Sequence, residues 1–284
     1  MRRVARRRTP RSHGACRVAR PAQTILYSPA TSIFLLERHH ERMQRAAAAL
    51  GFECATLEQL RARVFEAVGG AGAEVARRVR VVGQPDGSLE LSATPLPPPH
   101  RAFPGIDPSA PPLRVALDRA RVDSTRPDLV FKTTARRLYD GARARVGAGS
   151  SVGAEGPFDA LLVNERDELT EAGIANVAVE IAPGRPWITP PLNSGLVDGV
   201  MRRELLRSGH LVEAVVTVRE LLDVAARGAC AAAGGGWRPR ILCFNAVRGV
   251  YEVALDGAAG LDGSPEAHFR SGMSSAARMS SDIG

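Results

Sequence analysis

Apolar side chains recur along this chain with two spacings, and together they predict helices alternating with strands. Leu35, Leu36, Met43, Ala46, Ala47 and Leu50 fall on a helical spacing and Gly51 follows them, so 35–50 reads as a helix with a glycine stop. A second helix is expected over 57–68. The mildly apolar stretch 23–33 reads as a strand. Arg80-Val81-Val82 and Leu89-Glu90-Leu91 flank the turn sequence Gln84-Pro85-Asp86-Gly87, which predicts a hairpin over 77–94. Strands are then expected at 113–118, 158–164, 176–181, 187–189, 212–218, 240–244 and 250–254. Short helices are expected at 199–208 and 220–226. No internal repeat appears.

Two interruptions divide the pattern. The stretch 95–112 carries eight of the 20 prolines and is expected to run over the surface as a loop. The polar segment 121–128 holds a proline and is read as a domain boundary. The expected organisation is a small α+β domain at 23–122, a linker at 123–128 and a larger β-rich domain at 129–256. The Gly-, Ser- and Ala-rich tail at 257–284 is expected to be disordered.

Charge changes the picture only at one end. Residues 1–20 hold eight arginines and no acid, whereas the whole chain has a net charge of +8, so everything after them is balanced. The folded part is therefore not a basic nucleic-acid binder, and its two tryptophans have no interleaved basic patch. The segment 1–22 fits a basic disordered arm, a mitochondrial transit peptide or a misplaced start codon. A cytoplasmic location is expected, with a mitochondrial one as the alternative. No apolar run reaches the roughly 18 residues of a membrane span. The four cysteines are scattered, which excludes a CxxC-type metal site and a disulfide scaffold and fits a reducing compartment. Cys54 and Cys243 are expected to pack as small apolar groups, Ala46–Ala49 as core, and His39 and His40 to sit on a polar helix face.

The basic residues themselves are lopsided. Of 38 Lys and Arg, one is lysine, Lys132. Arginine carries charge as well as lysine does but cannot give up its proton near neutral pH. A position that needs a deprotonatable amine cannot drift to arginine, which makes Lys132 the first candidate for chemistry. The commonest chemical use of a lysine is a Schiff base to an aldehyde cofactor such as pyridoxal 5'-phosphate (PLP). Such a cofactor needs a carboxylate for its ring nitrogen, backbone N–H groups for its phosphate, and profits from an arginine. Glu171, the glycine-punctuated run from Ser194 to Arg202, and Arg42 are the candidates.

The order of the motifs is specific. Phe131-Lys132-Thr133-Thr134 comes first and Leu169-Thr170-Glu171 with Asn176 follows; Pro190-Pro191-Leu192 then runs into Gly199-Val200-Met201-Arg202, and Phe244-Asn245-Ala246-Val247-Arg248-Gly249 closes the set. Over roughly 33–254 this resembles the fold-type IV PLP enzymes, the branched-chain aminotransferase group, a two-domain fold of the D-amino-acid aminotransferase type with mixed α+β and α/β character. The Lys-Thr-Thr start and Asn-x-Val-Arg-Gly ending are most similar to the aminodeoxychorismate lyases of that group, and the long segment from Arg77 to Lys132 to their fungal form.

The resemblance implies a role for each residue. Lys132 would be the Schiff-base lysine and proton shuttle, and Glu171 would pair with the ring nitrogen. Arg42 and the backbone of Val200 and Met201 would bind the phosphate, with Asn176 beside the cofactor and Ala246 in the loop closing the phosphate cup. Arg248 and Arg136 would meet substrate carboxylates. The implied activity converts 4-amino-4-deoxychorismate to 4-aminobenzoate and pyruvate in folate precursor synthesis. The alternative is an aminotransferase of the same fold for branched-chain or D-amino acids. A homodimer is implied, and no metal. Ala246 departs from the Ser or Thr of many relatives. Ala135-Arg136-Arg137 departs from the tyrosine that aminotransferases of the group place shortly after the lysine, and favours an anionic substrate.

Overall fold

A computed structural model describes residues 19–96, 111–149, 155–232 and 237–256. The basic segment 1–18, most of the proline-rich stretch and the tail from 257 lie outside these residues. Two sheets organise the rest. The first has four strands in the order β2-β1-β3-β4: β1 (Ala22–Ser28), β2 (Ser32–Ile33), β3 (Arg77–Gly83) and β4 (Leu89–Pro95). Antiparallel register sets Gln23 opposite Val81 and Ile25 opposite Val79, so these side chains share one face. That face packs against α1 (Leu36–Leu50) and α2 (Leu57–Val68), where Leu60 and Val64 are fully buried. Both helices end on glycines in the left-handed conformation, Gly51 and Gly69.

Helix α1 differs from its expected face. His39 and His40 are buried and Ala48 and Ala49 are exposed. The reason is the spacing itself: Leu36, His39, His40, Met43, Ala46 and Ala47 form one stripe of i, i+3, i+4, i+7 positions. His40 Nε2 meets the Ala55 carbonyl at 2.8 Å, which makes its burial tolerable.

The second sheet has eight strands in the order β10-β9-β8-β11-β12-β5-β6-β7. They are β5 (Leu113–Val122), β6 (Asp159–Asn164), β7 (Leu169–Ala172), β8 (Asn176–Glu180), β9 (Trp187–Thr189), β10 (Leu211–Glu213), β11 (Arg240–Asn245) and β12 (Gly249–Leu255). Edge strand β7 joins β8, five places away in the sheet, through only three residues. Three residues span about 10 Å, so the sheet must curl to bring the two together. Around it lie α3 (Arg137–Arg145), α4 (Val200–Arg207) and α5 (Val218–Ala232).

Two expected strands are corrected here. The strand expected at 113–118 runs on to Val122 and pairs with β6 and β12, so it belongs to the second sheet and not to the first domain as the boundary at 121–128 implied. The strand expected at 212–218 is only β10, because Thr217 opens α5: it accepts from the Glu220 N–H at 3.2 Å while its own N–H donates to the Glu220 carboxylate at 2.8 Å. Helix α3 had no clear apolar stripe in the sequence, since it buries little besides Ala142. Cys243 is buried as expected and Cys54 only partly.

Candidate active site

Lys132 sits where the two sheets meet. Its carbonyl accepts the Ala22 N–H at 2.9 Å, and the Thr134 N–H donates to the Arg20 carbonyl at 2.9 Å. From the other side the Asp198 N–H donates to the Val130 carbonyl at 3.1 Å. The lysine is thus strapped between the first strand of one sheet and the approach to α4. The residue is half-buried. Loss of hydration, with the positive charges of Arg42 and Arg136, pushes its amine down to about 7, against the opposing pull of Glu171. Such an amine is partly unprotonated at neutral pH.

Glu171 faces it from β7 and is 4% exposed. Burial pushes its carboxyl up to about 7, opposed by hydrogen bonds from Val197 and Tyr139 and by the charge of Lys132. Oε1 accepts the Val197 N–H at 2.9 Å and the Tyr139 hydroxyl at 2.8 Å, and Oε2 accepts Asn176 Nδ2 at 3.2 Å. Asn176 also donates to the Val197 carbonyl at 2.9 Å. The carboxylate is therefore held from three sides. Gly199 closes this contact: a Cβ there would lie 1.9 Å from Asn176 Oδ1.

Gly199 also begins α4. No side chain caps that helix, so the N–H groups of its first turn, Val200 and Met201 included, keep their donors free of a side-chain oxygen, and both residues are buried. Arg42 on α1 is buried too. Its Nε and Nη2 donate to Gln23 Oε1 at 3.0 and 2.6 Å, and it has no ion pair among the described residues. Burial pulls the guanidinium down to about 9, with Asp198 opposing. A buried, unpaired cation beside an uncapped helix start is a site for an anion.

The other expected residues divide. Arg136 donates to the Gly173 carbonyl at 2.9 Å, lies over the Tyr139 ring, and is among the charges felt most at Lys132 and Glu171. Ala246 is buried in the turn between β11 and β12, where the neighbouring Asn245 donates to the Ile174 carbonyl at 3.1 Å. The turn thus abuts the connection between Glu171 and Asn176. Arg248 is exposed, with its guanidinium over the Phe158 ring at 5.0 Å, and is not among the charges felt most at Lys132 or Glu171.

Sequence reading missed Tyr139, Gln23, His39, Asp198 and Arg80. Tyr139, seven residues after the lysine on α3 and beyond the Ala135-Arg136-Arg137 stretch, donates to Glu171 at 2.8 Å. His39 was legible in the α1 stripe. Arg80 on β3 is felt at Lys132, and Asp198 receives Arg203 at 2.6 Å and Arg45 at 3.2 Å. Neither Gln23 nor Asp198 carries a local signal, since each acquires its partners from a distant element.

A family model described as class IV amino-transferase matches residues 23–239. The chain belongs to the class IV aminotransferase family. A Schizosaccharomyces pombe protein named "Putative aminodeoxychorismate lyase" is 30% identical over 192 residues, 67% of this chain and 74% of that protein. The crystal structure of an amino-acid aminotransferase from Mesorhizobium loti, itself named as putative, superposes with a TM-score of 0.66 at 29% identity, covering 84% of this chain and 99% of that one. That of a 4-amino-4-deoxychorismate lyase from Pseudomonas aeruginosa gives 0.56 at 21% identity, covering 89% of each, and shares the fold. Class IV aminotransferases and their lyase relatives depend on PLP.

The residues present fit that cofactor. Lys132 offers a poorly protonated amine, Glu171 a fixed carboxyl, and Arg42 with the start of α4 an anion site without a carboxylate bonded to Arg42. Among the described residues, no group of three His, Cys, Asp or Glu side chains could hold a metal, and no helix is long and apolar enough to cross a membrane.

Proposed function

We propose that this class IV enzyme is an aminodeoxychorismate lyase, converting 4-amino-4-deoxychorismate to 4-aminobenzoate and pyruvate in folate precursor synthesis. What supports the proposal is that the cations whose charge lowers the Lys132 amine are three guanidinium groups, Arg42, Arg136 and Arg80. One suits a cofactor phosphate; the other two suit a substrate with two carboxylates, which guanidinium binds bidentately. Arg136 keeps the role the sequence suggested, and Arg80, whose charge is felt at Lys132, joins Arg248 as a candidate for the second carboxylate. The relative named as a lyase supports the same reading.

PLP, when bound, supplies an electron sink for charge developing at the substrate carbon next to nitrogen. The rest is the work of side chains. Lys132 would hold the cofactor aldehyde and, once free, take the proton from C4 of the substrate, since an amine near 7 is both available and basic at neutral pH. Glu171 would hold a proton at the ring nitrogen, its orientation fixed by Tyr139, Asn176 and the Val197 N–H. Arg42, Val200 and Met201 would bind the phosphate and so fix the ring between Lys132 and Glu171. Breaking the C–O bond at the neighbouring carbon would then expel enolpyruvate, whose oxygen takes back the proton held by Lys132 and which relaxes to pyruvate, leaving the aromatic product.

The second reading is an aminotransferase of the same fold, which the similarity to the Mesorhizobium loti protein named as an amino-acid aminotransferase supports. The purified protein incubated with aminodeoxychorismate and PLP decides between them. Release of 4-aminobenzoate and pyruvate without an amino acceptor is expected; turnover that requires 2-oxoglutarate would replace the lyase reading. Lys132→Ala should lose the cofactor's visible absorbance and cut activity by at least about a thousandfold.

A further inference from the structure

Arg42 is held differently from Arg202, the other buried arginine among the described residues, and from the partly buried Arg143. Arg202 is 1% exposed and bonds the Glu213 carboxylate; Arg143 bonds Asp159 at 2.7 Å. Arg45 and Arg203, less buried, share Asp198. In each case a carboxylate neutralises the guanidinium. Arg42, as buried as any but Arg202, bonds the amide oxygen of Gln23, through Nε at 3.0 Å and Nη2 at 2.6 Å. The same oxygen meets His39 Nδ1 at 3.1 Å.

Three contacts on one oxygen fix the chemistry of the group. An amide oxygen only accepts, so His39 must donate from Nδ1, and the amide cannot flip without setting its NH2 against the guanidinium. Burial, with the charges of Arg42 and Lys132, holds His39 well below its ordinary value, hence neutral. Gln23 and His39 are both 0% exposed, and Gln23 Nε2 and His39 Nε2 are buried without a hydrogen-bond partner. Two such atoms cost free energy that an apolar pair would not. The position of Gln23 explains what the arrangement secures. It lies on β1 next to Ala22, whose N–H holds the carbonyl of Lys132, so one strand places the lysine and the arginine together.

We infer that Gln23, backed by His39, is a positioning residue that orients Arg42 without neutralising it, reserving its charge for a phosphomonoester dianion. A carboxylate at Gln23 would orient the guanidinium equally well but would compete with the incoming anion. An apolar residue would leave the charge and lose the orientation. The inference rests on the reading that Arg42 receives the cofactor phosphate.

The test compares PLP with pyridoxal, which lacks the phosphate, by absorbance titration of the protein stripped of cofactor. The ratio of the two affinities reads phosphate recognition alone. Arg42→Ala tests the underlying reading: the ratio should fall, and an unchanged ratio would remove Arg42 from the phosphate site. Given that fall, Gln23→Glu should lower the ratio at least about tenfold, the worth of a charge-assisted hydrogen bond, while pyridoxal affinity stays near wild type. Gln23→Met, neutral and of similar volume, should lower it by less. Inorganic phosphate should compete with PLP in the wild type and much less in Gln23→Glu. Should Gln23→Glu fail to fold, as judged by circular dichroism, the Gln23→Met ratio decides. A fall in the ratio with Arg42→Ala but wild-type ratios in the Gln23 variants would overturn the inference.

Discussion

Among single residues, burial is the largest influence on the charges of Lys132, Glu171 and Arg42. Lys132 and Glu171 are driven toward the same value, about 7, from opposite sides, each mainly by burial. The stability consequence for Lys132 follows from its direction. Its folded value lies below that of a free lysine, so between the two the unfolded chain binds the proton that the folded chain sheds, and stability rises with pH across that window. Lys132→Met should therefore stabilise the cofactor-free protein, by about 2 kcal/mol at pH 6 and by less at pH 9. Thermal midpoints of the stripped protein at the two values check this; an equal gain at both would show that the amine is not held low. Tyr139 shows the limit of reading residues singly. Its spacing from Lys132 was visible, but only α3 turns its hydroxyl onto Glu171.

Between elements, glycine sets how closely parts of the site approach. Gly199 ends the loop before α4 at a φ any residue could adopt, so its role is space rather than conformation. A methyl group there would meet Asn176 Oδ1 at 1.9 Å. Gly199→Ala should push Asn176 off Glu171, cost about 1–3 kcal/mol, and weaken PLP binding together with stability. A melting curve and a cofactor titration on the same variant test it; wild-type values in both would mean the loop shifts freely. The uncapped start of α4 obeys the same logic. Ser, Thr, Asp or Asn at the cap would supply its own oxygen to the first-turn N–H groups, whereas glycine leaves them for a ligand. Helix α1 shows how much periodicity can reveal: the stripe that places Met43 and Ala46 in the core also places His39 there.

Across the molecule, the site exists only where the two sheets meet. β1 holds Lys132 from one side, and α1 brings Arg42 toward α4. Phe34 packs against the cluster of Met201, Leu205 and Phe244, and Asp198 ties Arg45 of α1 to Arg203 of α4. Asp198→Asn should loosen this seam by about 1–2 kcal/mol, since its arginine partners are partly exposed and screened. It also removes the carboxylate that most favours charge on Arg42. Raised salt should mimic part of the loss in the wild type and have little effect in the variant, as thermal midpoints at two ionic strengths would show. Whatever depends on short range or on residue type could be read off the chain: the strands and helices with clean periodicity, the neutral charge of the folded part, and the singular lysine with its ordered motifs. Folding in three dimensions chose which sheet β5 joins, which arginines surround Lys132, and that Arg42 is held by an amide. Those outcomes depend on contacts between residues far apart in the chain, such as Gln23 with Arg42 and Asp198 with Arg45, and no local pattern of apolar and polar residues encodes which distant partner a buried charge will meet.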